Sequence, residues 1–553
     1  MTVRVKESSE IPNGRMVRPS GFTVSYSAPD RCVYPGSLGG RVLQRVGWCL
    51  LGLMFAAAAI AQERPHGNPP PATQQPPPAS AEPTKTAEEK PVVTHHKITV
   101  GGKTLAYTAT TGRMAIKNDQ GHTEAQMFYV AYTLDNSAAK RPLTFAFNGG
   151  PGSATVWLHM GCFGPKRVKM QPNGFMPPPP FQLEDNQDTI LDKTDLVFVD
   201  AIGTGFSRAT TPELGKKFWT LKGDIAAFGE FTRLYLQQNS RWTSPVYLAG
   251  ESYGTTRAAG LSNYLADHGV ALNGIVLIST VLNFQTIGFA TGNDVPFVLY
   301  LPTYAMTAAY YHKLAPELEK DLPSLRHEVE KWATTEYLEA PQQGDALAGS
   351  AKQSVIDHLA HYTGLSKQFI EKNNLRIDLD HFDAELLREE GKTVGRLDAR
   401  FTGVNESGTE QSPEFDPTAA AIRPPYTAVF GDYVKKELGY ESDSQYYVLG
   451  GGIGRWDFEV TGWSGFADTS QALRQAFAKN PFLQVFVAEG LYDAATPYFA
   501  AEYTFNHMGL NAAAHKNIVR DQFAAGHMVY LDNKCLTQLK RDVDALYDRT
   551  APK

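Results

Sequence analysis

Cysteine is scarce, with four in 553 residues, and two of these, Cys32 and Cys49, lie before or within an apolar N-terminal stretch. So few sulfurs exclude a disulfide-stapled scaffold, and the fold must stand on its hydrophobic core. Basic charge is not in excess either. The 52 Lys and Arg stand against 58 Asp and Glu, a net charge of −6, which gives no electrostatic footprint for nucleic acid. No H-E-x-x-H motif and no Cys/His cluster is present, so the sequence points to no metal and no cofactor. The adjacent His95 and His96 sit in a polar approach to a strand, where solvation accounts for them. No internal repeat occurs, and no apolar run reaches the about 20 residues of a membrane-spanning helix.

What is present begins with an address. Arg41 and Arg45 precede "VGWCLLGLMFAAAAIA", residues 46–61, which ends in the small-x-small triplet Ala59-Ile60-Ala61. Basic flank, short apolar centre and small-residue exit predict a secretory signal peptide, hence a periplasmic or secreted protein with no stable membrane span after cleavage. An uncleaved N-terminal anchor is the alternative. Residues 1–40 are long for the approach to such a signal, which suggests a misplaced start codon. Residues 62–91 contain "HGNPPPATQQPPPASAEPTKTAEEKP", too poor in apolar surface to fold, and read as a linker. The mature chain keeps Cys162 and Cys535, either as one disulfide or as two buried thiols.

From residue 92 the texture is globular. Alternating residues around Gly101-Gly102 predict an N-terminal hairpin. Apolar runs at 143–147 ("LTFAF"), 196–199 ("LVFV"), 246–248 ("VYL"), 275–278 ("IVLI") and 483–487 ("LQVFV") read as buried strands. Helical spacing separates two of them, in "DIAAFGEFTRLYLQQN". Buried strands alternating with helices predict an α/β fold with a mostly parallel sheet covered on both faces. The rhythm breaks between 283 and 470, a more polar, helix-rich stretch in which no run reads as a buried strand. We therefore expect α/β segments at 92–282 and 471–553, separated by a helical cap insertion at 283–470.

The chemistry centres on "GESYG", residues 250–254, which fits G-x-S-x-G, a serine on a sharp strand-to-helix turn. With 48 glycines in the chain the pentapeptide alone is a weak signal. Its context is strand-like before and helical after. A second loop, "NGGPGS" at 148–153, follows the run at 143–147, and its glycines can turn backbone N–H groups toward a substrate oxygen.

Together with "DAIGTGFS" at 200–207, "GLYD" at 490–493 and "AGHMV" at 525–529, these segments resemble the serine carboxypeptidases, a family of α/β-hydrolases, in the family's order. The resemblance implies a catalytic triad of Ser252, Asp493 and His527, in the order Ser, Asp, His that the fold uses. It further implies an oxyanion hole from the N–H groups of Gly150 and Tyr253. Asn148, Gly149 and Glu251 match the positions that bind the terminal carboxylate of a peptide. The substrate implied is a peptide with a free C-terminus, with room for a homodimer. His507 and His515 are rival bases, but they lie in helical or linker-like sequence without flanking glycine.

The pattern is broken at several positions. Fourteen residues after Asn148 the family has a second glutamate before a Gly-Pro pair; this chain has Cys162, then Phe163-Gly164-Pro165. Leu491 replaces an acid two residues before the aspartate, and Tyr530 stands where proline is common. Thr255 and Thr256 also depart from the usual residues. Loss of the second acid gives weight to an esterase or acyltransferase using the same triad. A non-catalytic scaffold is the reading from another class, and the intact Ser, Asp and His argue against it.

Overall fold

The computed structural model describes residues 90–550, apart from 138–139 and 461–464. The predicted signal peptide, Cys32, Cys49 and nearly all of the predicted linker lie outside the described residues. The described residues form one compact unit.

Its centre is a ten-stranded sheet. Nine strands form a continuous path: β1 (Val92–Val100), β2 (Lys103–Lys117), β3 (Thr123–Leu134), β4 (Leu143–Phe147), β5 (Asp195–Val199), β6 (Val246–Glu251), β7 (Leu272–Ile278), β8 (Gln484–Gly490) and β9 (Ile518–Phe523). Their spatial order is β1-β2-β3-β5-β4-β6-β7-β8-β9, and the two-residue strand Arg208–Ala209 pairs beside β3. The first three pairings along this path are antiparallel, and every pairing from β5 to β9 is parallel. The five predicted apolar runs are β4 to β8. They read clearly because both faces are covered, so every residue of β4 and β5 is buried. β3 and β9 escaped the sequence reading: β3 carries a buried apolar run, "MFYVAY", that is not among the predicted strands, and β9 ("IVRDQF") is a half-exposed edge.

Side chains alternate between two cores, as a pleated strand requires. Phe145 and Phe147 of β4 face one core with helices α1 (Leu221–Gln238) and α2 (Tyr253–Asp267), while Ala146 faces the other. That second core is closed by α3 (Pro417–Lys436) and α4 (Asn533–Thr550). Helices on both faces of a largely parallel sheet make this an α/β-hydrolase fold.

The stretch 283–470 is mostly helical but also carries a small antiparallel hairpin, Lys392–Val394 with Thr402–Val404. Its strands are only three residues long, too short to leave a periodic signature. Residues from Phe297 to Val394 build an apolar cluster of their own. Helix α3 does not join it. Ile422, Tyr426, Phe430 and Tyr433 pack instead on the main core, beside Trp157 and His159. The insertion therefore returns to the sheet before residue 470.

Candidate active site

Ser252 sits at the junction of β6 and α2 with φ 60° and ψ −132°. This left-handed backbone costs about 1–3 kcal/mol and persists only where its surroundings enforce it. Here the Ser252 N–H donates to the Ile278 carbonyl at the end of β7 (3.0 Å), and Ser252 O accepts from Thr255 N (2.8 Å). The Thr255 hydroxyl reaches the same carbonyl (2.7 Å) and accepts from Val281 N (2.9 Å), so one departure from the family pattern has a structural use.

Glycine lets the loop after β4 lie against this turn. A Cβ on Gly149 would fall 2.4 Å from the Tyr253 nitrogen, and one on Gly254 would fall 2.7 Å from Phe147 O. Gly150 adopts φ +104°, closed to other residues. Tyr253 is the first residue of α2, so its N–H has no acceptor within the helix. Among the described residues the Gly150 N–H likewise donates to no backbone carbonyl.

His527 and Asp493 arrive from the loops after β9 and β8. The His527 ring donates from Nδ1 to Asp493 Oδ2 at 2.8 Å, which leaves Nε2 as the acceptor. Asp493 Oδ1 accepts the N–H groups of Ala495 and Thr496 (2.9 Å each), and the Thr496 hydroxyl donates to Oδ2 (2.8 Å). Ser279 Oγ holds the His527 carbonyl (2.5 Å), and His527 N donates to Leu397 O (2.6 Å). Burial pulls the imidazole pKa down, but the Asp493 charge and hydrogen bond, with a smaller contribution from Glu251, leave it above its usual value.

Ser252, His527, Glu251, Asn148, Gly149 and Gly150 all line one cavity of about 260 Å³. Tyr253 and Asp493 stand behind it, and both are buried. His507 and His515 are exposed, with His507 bonded to the Tyr503 carbonyl.

Glu251 is 4% exposed, and its pKa is pushed up to about 7, chiefly by burial. The His527 charge and a hydrogen bond from the Tyr530 hydroxyl to Oε2 oppose that shift. The neighbouring Asn148 amide also favours the carboxylate, although its geometry falls short of a hydrogen bond. Asn148 Oδ1 accepts from Leu158 N (2.9 Å), and its buried Nδ2 has no partner. A buried donor left unpaired beside Ser252 is free to meet an acceptor. Cys162 and Cys535 are both buried and free.

A family model described as serine carboxypeptidase matches residues 103–539, most of the chain. The chain belongs to the serine carboxypeptidase family. It is therefore a serine carboxypeptidase-type hydrolase. No curated protein matches it in sequence. Among solved structures it is similar to a prohormone-processing carboxypeptidase from Saccharomyces cerevisiae, at 15% identity and TM-score 0.48, over 80% of this chain and 91% of that one. A thermostable carboxyl esterase from Bacillus coagulans matches at 13% identity and TM-score 0.31, over 79% and 98%.

Several supporting residues of this carboxypeptidase-family site escaped the sequence reading. Arg257 on α2 is wholly buried and ion-paired with Asp224 of α1 (Nε to Oδ2, 2.7 Å), while its Nη1 donates to Asn148 O (2.7 Å). Asp224 also accepts from the Tyr253 hydroxyl (3.2 Å). The signal was there: an arginine amid the small residues of "GTTRAAG" on a buried helix demands a buried acid. The segment "DAIGTGFS" supplies a brace, since Asp200 Oδ1 accepts Thr155 N (2.8 Å) and holds the glycine loop from its far end. From the insertion, Asp398 accepts Gly526 N (3.1 Å) and pairs with Arg400 (2.7 Å), fixing the His527 loop in a way no local pattern could announce.

Proposed function

We propose that this protein is an exported carboxypeptidase that releases C-terminal residues from peptides through an acyl-enzyme on Ser252. The observation that carries the reading is one cavity lined by Ser252 on its strained turn, by His527 with Asp493 behind it, and by Glu251 beside the unpaired Asn148 amide. His527 Nε2 takes the Ser252 proton as Oγ attacks the scissile carbonyl, and the resulting imidazolium is stabilised by Asp493. The N–H groups of Gly150 and Tyr253 receive the oxyanion. His527 then protonates the leaving amine, and water attacking by the reverse path frees the peptide. Asn148 Nδ2, the Gly149 backbone and protonated Glu251 donate to the terminal carboxylate.

The test compares an N-blocked dipeptide acid with its C-terminal amide between pH 4 and 8. The acid should be cleaved at least tenfold faster below pH 7; equal rates on both would favour the esterase alternative. The pH signs follow from the two groups. His527 must be neutral to act as base, so kcat/KM on any substrate rises with pH through its pKa. On the free acid it should fall again above about 7, as Glu251 ionises and repels the carboxylate. Glu251→Gln should erase the falling limb, and an unchanged profile would remove Glu251 from carboxylate recognition.

Side-chain preference has a physical pointer. Arg396 and Arg423 line the cavity, and among the described residues neither has an ion-pair partner. Asp416, also in the lining, is occupied by the N–H groups of Leu397 and Thr418. A panel of leaving residues should therefore rank glutamate above lysine, and Arg396→Gln should reduce the difference several-fold.

A further inference from the structure

Two breaks in the family pattern, separated by hundreds of residues in sequence, meet at one point. Cys162 stands where the second carboxylate-binding glutamate is expected, and Tyr530 stands where proline is common. In the fold the Tyr530 hydroxyl donates to Glu251 Oε2. Its ring lies directly against the backbone beside Cys162: a Cβ on Gly161 would fall 2.8 Å from a Tyr530 ring carbon and 2.4 Å from the Tyr426 hydroxyl. Tyr530, Tyr426 and Cys162 are all fully buried. A proline at 530 could offer Glu251 no donor. A thiol at 162, held protonated by burial and by the nearby Glu251 charge, is a poor one.

We propose that Tyr530 is a positioning residue that takes over the work of the missing second acid, holding Glu251 in the orientation that receives the substrate's terminal carboxylate. The proposal rests on the carboxypeptidase reading and on the role given there to Glu251. It substitutes a neutral phenol for a second carboxyl. Burial raises the phenol's pKa well above its ordinary value, so it does not titrate where the enzyme works. Glu251 is faced by Asn148 from the glycine loop, by His527 and Asp493 of the triad, by Tyr530, and by Cys162 and Tyr426. Among these, Glu251 is the carboxyl presented to the substrate, so loss of carboxylate binding should follow a single proton. A glutamate pair sharing a proton with the substrate would instead give coupled steps.

The experiment is Tyr530→Phe, which removes one oxygen and keeps the ring packed against Gly161. Two substrates are compared: an N-blocked dipeptide acid, and an N-blocked amino-acid ethyl ester that carries no terminal carboxylate. The acid-to-ester ratio of kcat/KM should fall about tenfold, mostly through KM, the size expected for losing a hydrogen bond to a buried ionisable group. The pH at which KM for the acid begins to climb should move upward, because the lost hydroxyl favoured ionised Glu251. In a Glu251→Ala background, where no acceptor for the hydroxyl remains, the same Tyr530→Phe change should alter the ratio by less than about twofold. An unchanged ratio, a fallen ratio with an unmoved pH dependence, or a full loss in the Glu251→Ala background would each overturn the proposal. Wild-type protein that cleaves acid and amide alike would instead sink the carboxypeptidase reading itself, a separate outcome seen before any variant is made.

Discussion

Ser252→Ala is expected to lower kcat by on the order of a millionfold and to abolish labelling by a fluorophosphonate probe. The size follows from what the residue is asked to do. Serine is a weak nucleophile until a base lies within reach, and here the base is fixed on four sides: by Asp493 at the ring, by Ser279 at its carbonyl, by Leu397 at its N–H, and by the Asp398 carboxylate at Gly526. A base held this way has one productive orientation, so removing the hydroxyl leaves nothing else to attack. What remains is the rate enhancement of the oxyanion donors and of binding, which still exceeds water by roughly a thousandfold or more. Asp493→Asn should cost about ten thousandfold for a different reason, since an amide can present its N–H to Nδ1 and select the wrong tautomer. Near-normal turnover in either purified variant would remove the triad assignment. Fluorophosphonate labelling of the wild type that Ser252→Ala leaves intact would place the nucleophile elsewhere.

Arg257→Ala should be the most damaging change outside the triad. The guanidinium is wholly buried, pairs with Asp224, lies 4.3 Å over the Phe228 ring and holds Asn148 O (2.7 Å). Its loss strands Asp224, whose carboxyl pKa burial already raises, beside Tyr253. Breaking one side of a buried pair costs about 3–5 kcal/mol. Folded protein should be recovered only at reduced temperature, and its urea midpoint should drop accordingly. The survivors should also be slow, because the freed Asn148 carbonyl loosens the loop that carries Gly149 and Gly150. Removing both charges together, as Asp224→Leu with Arg257→Met, should restore much of the stability and little of the activity. Recovery of both would mean that the pair only fills space.

The fold was legible where burial was symmetrical. β4 to β8 are covered on both faces, so each appears as a short unbroken apolar run between turns, and their alternation with helices points to a parallel sheet. β9 carries Arg520 and Asp521 on an edge and has no such run, whereas β3 does hold one, Met127 to Tyr132, that the sequence reading passed over. The hairpin at 392–404 is too short for any periodicity. At the candidate site, the proposed Ser, Asp and His were named from segments standing in the family's order; legible strands precede Ser252 and Asp493, but the strand before His527 was not legible. Thr496, Ser279, Asp398 and Arg257 could not be assigned, since nothing in their own stretch of sequence names the group each one holds.

By itself, then, the sequence determined the class of hydrolase and the parts from which its chemistry is proposed: a serine on a G-x-S-x-G turn, a downstream acid and histidine, and glycines beside the serine, in the order of that family. It also marked Cys162 and Tyr530 as two unrelated anomalies. Only the tertiary structure brought Tyr530 onto Glu251 and against the backbone next to Cys162. Sequence patterns report local backbone geometry and the side of an element that meets the core. Which buried polar group finds which partner depends on the packing of distant segments, and that packing decides whether this site can bind a carboxylate as proposed.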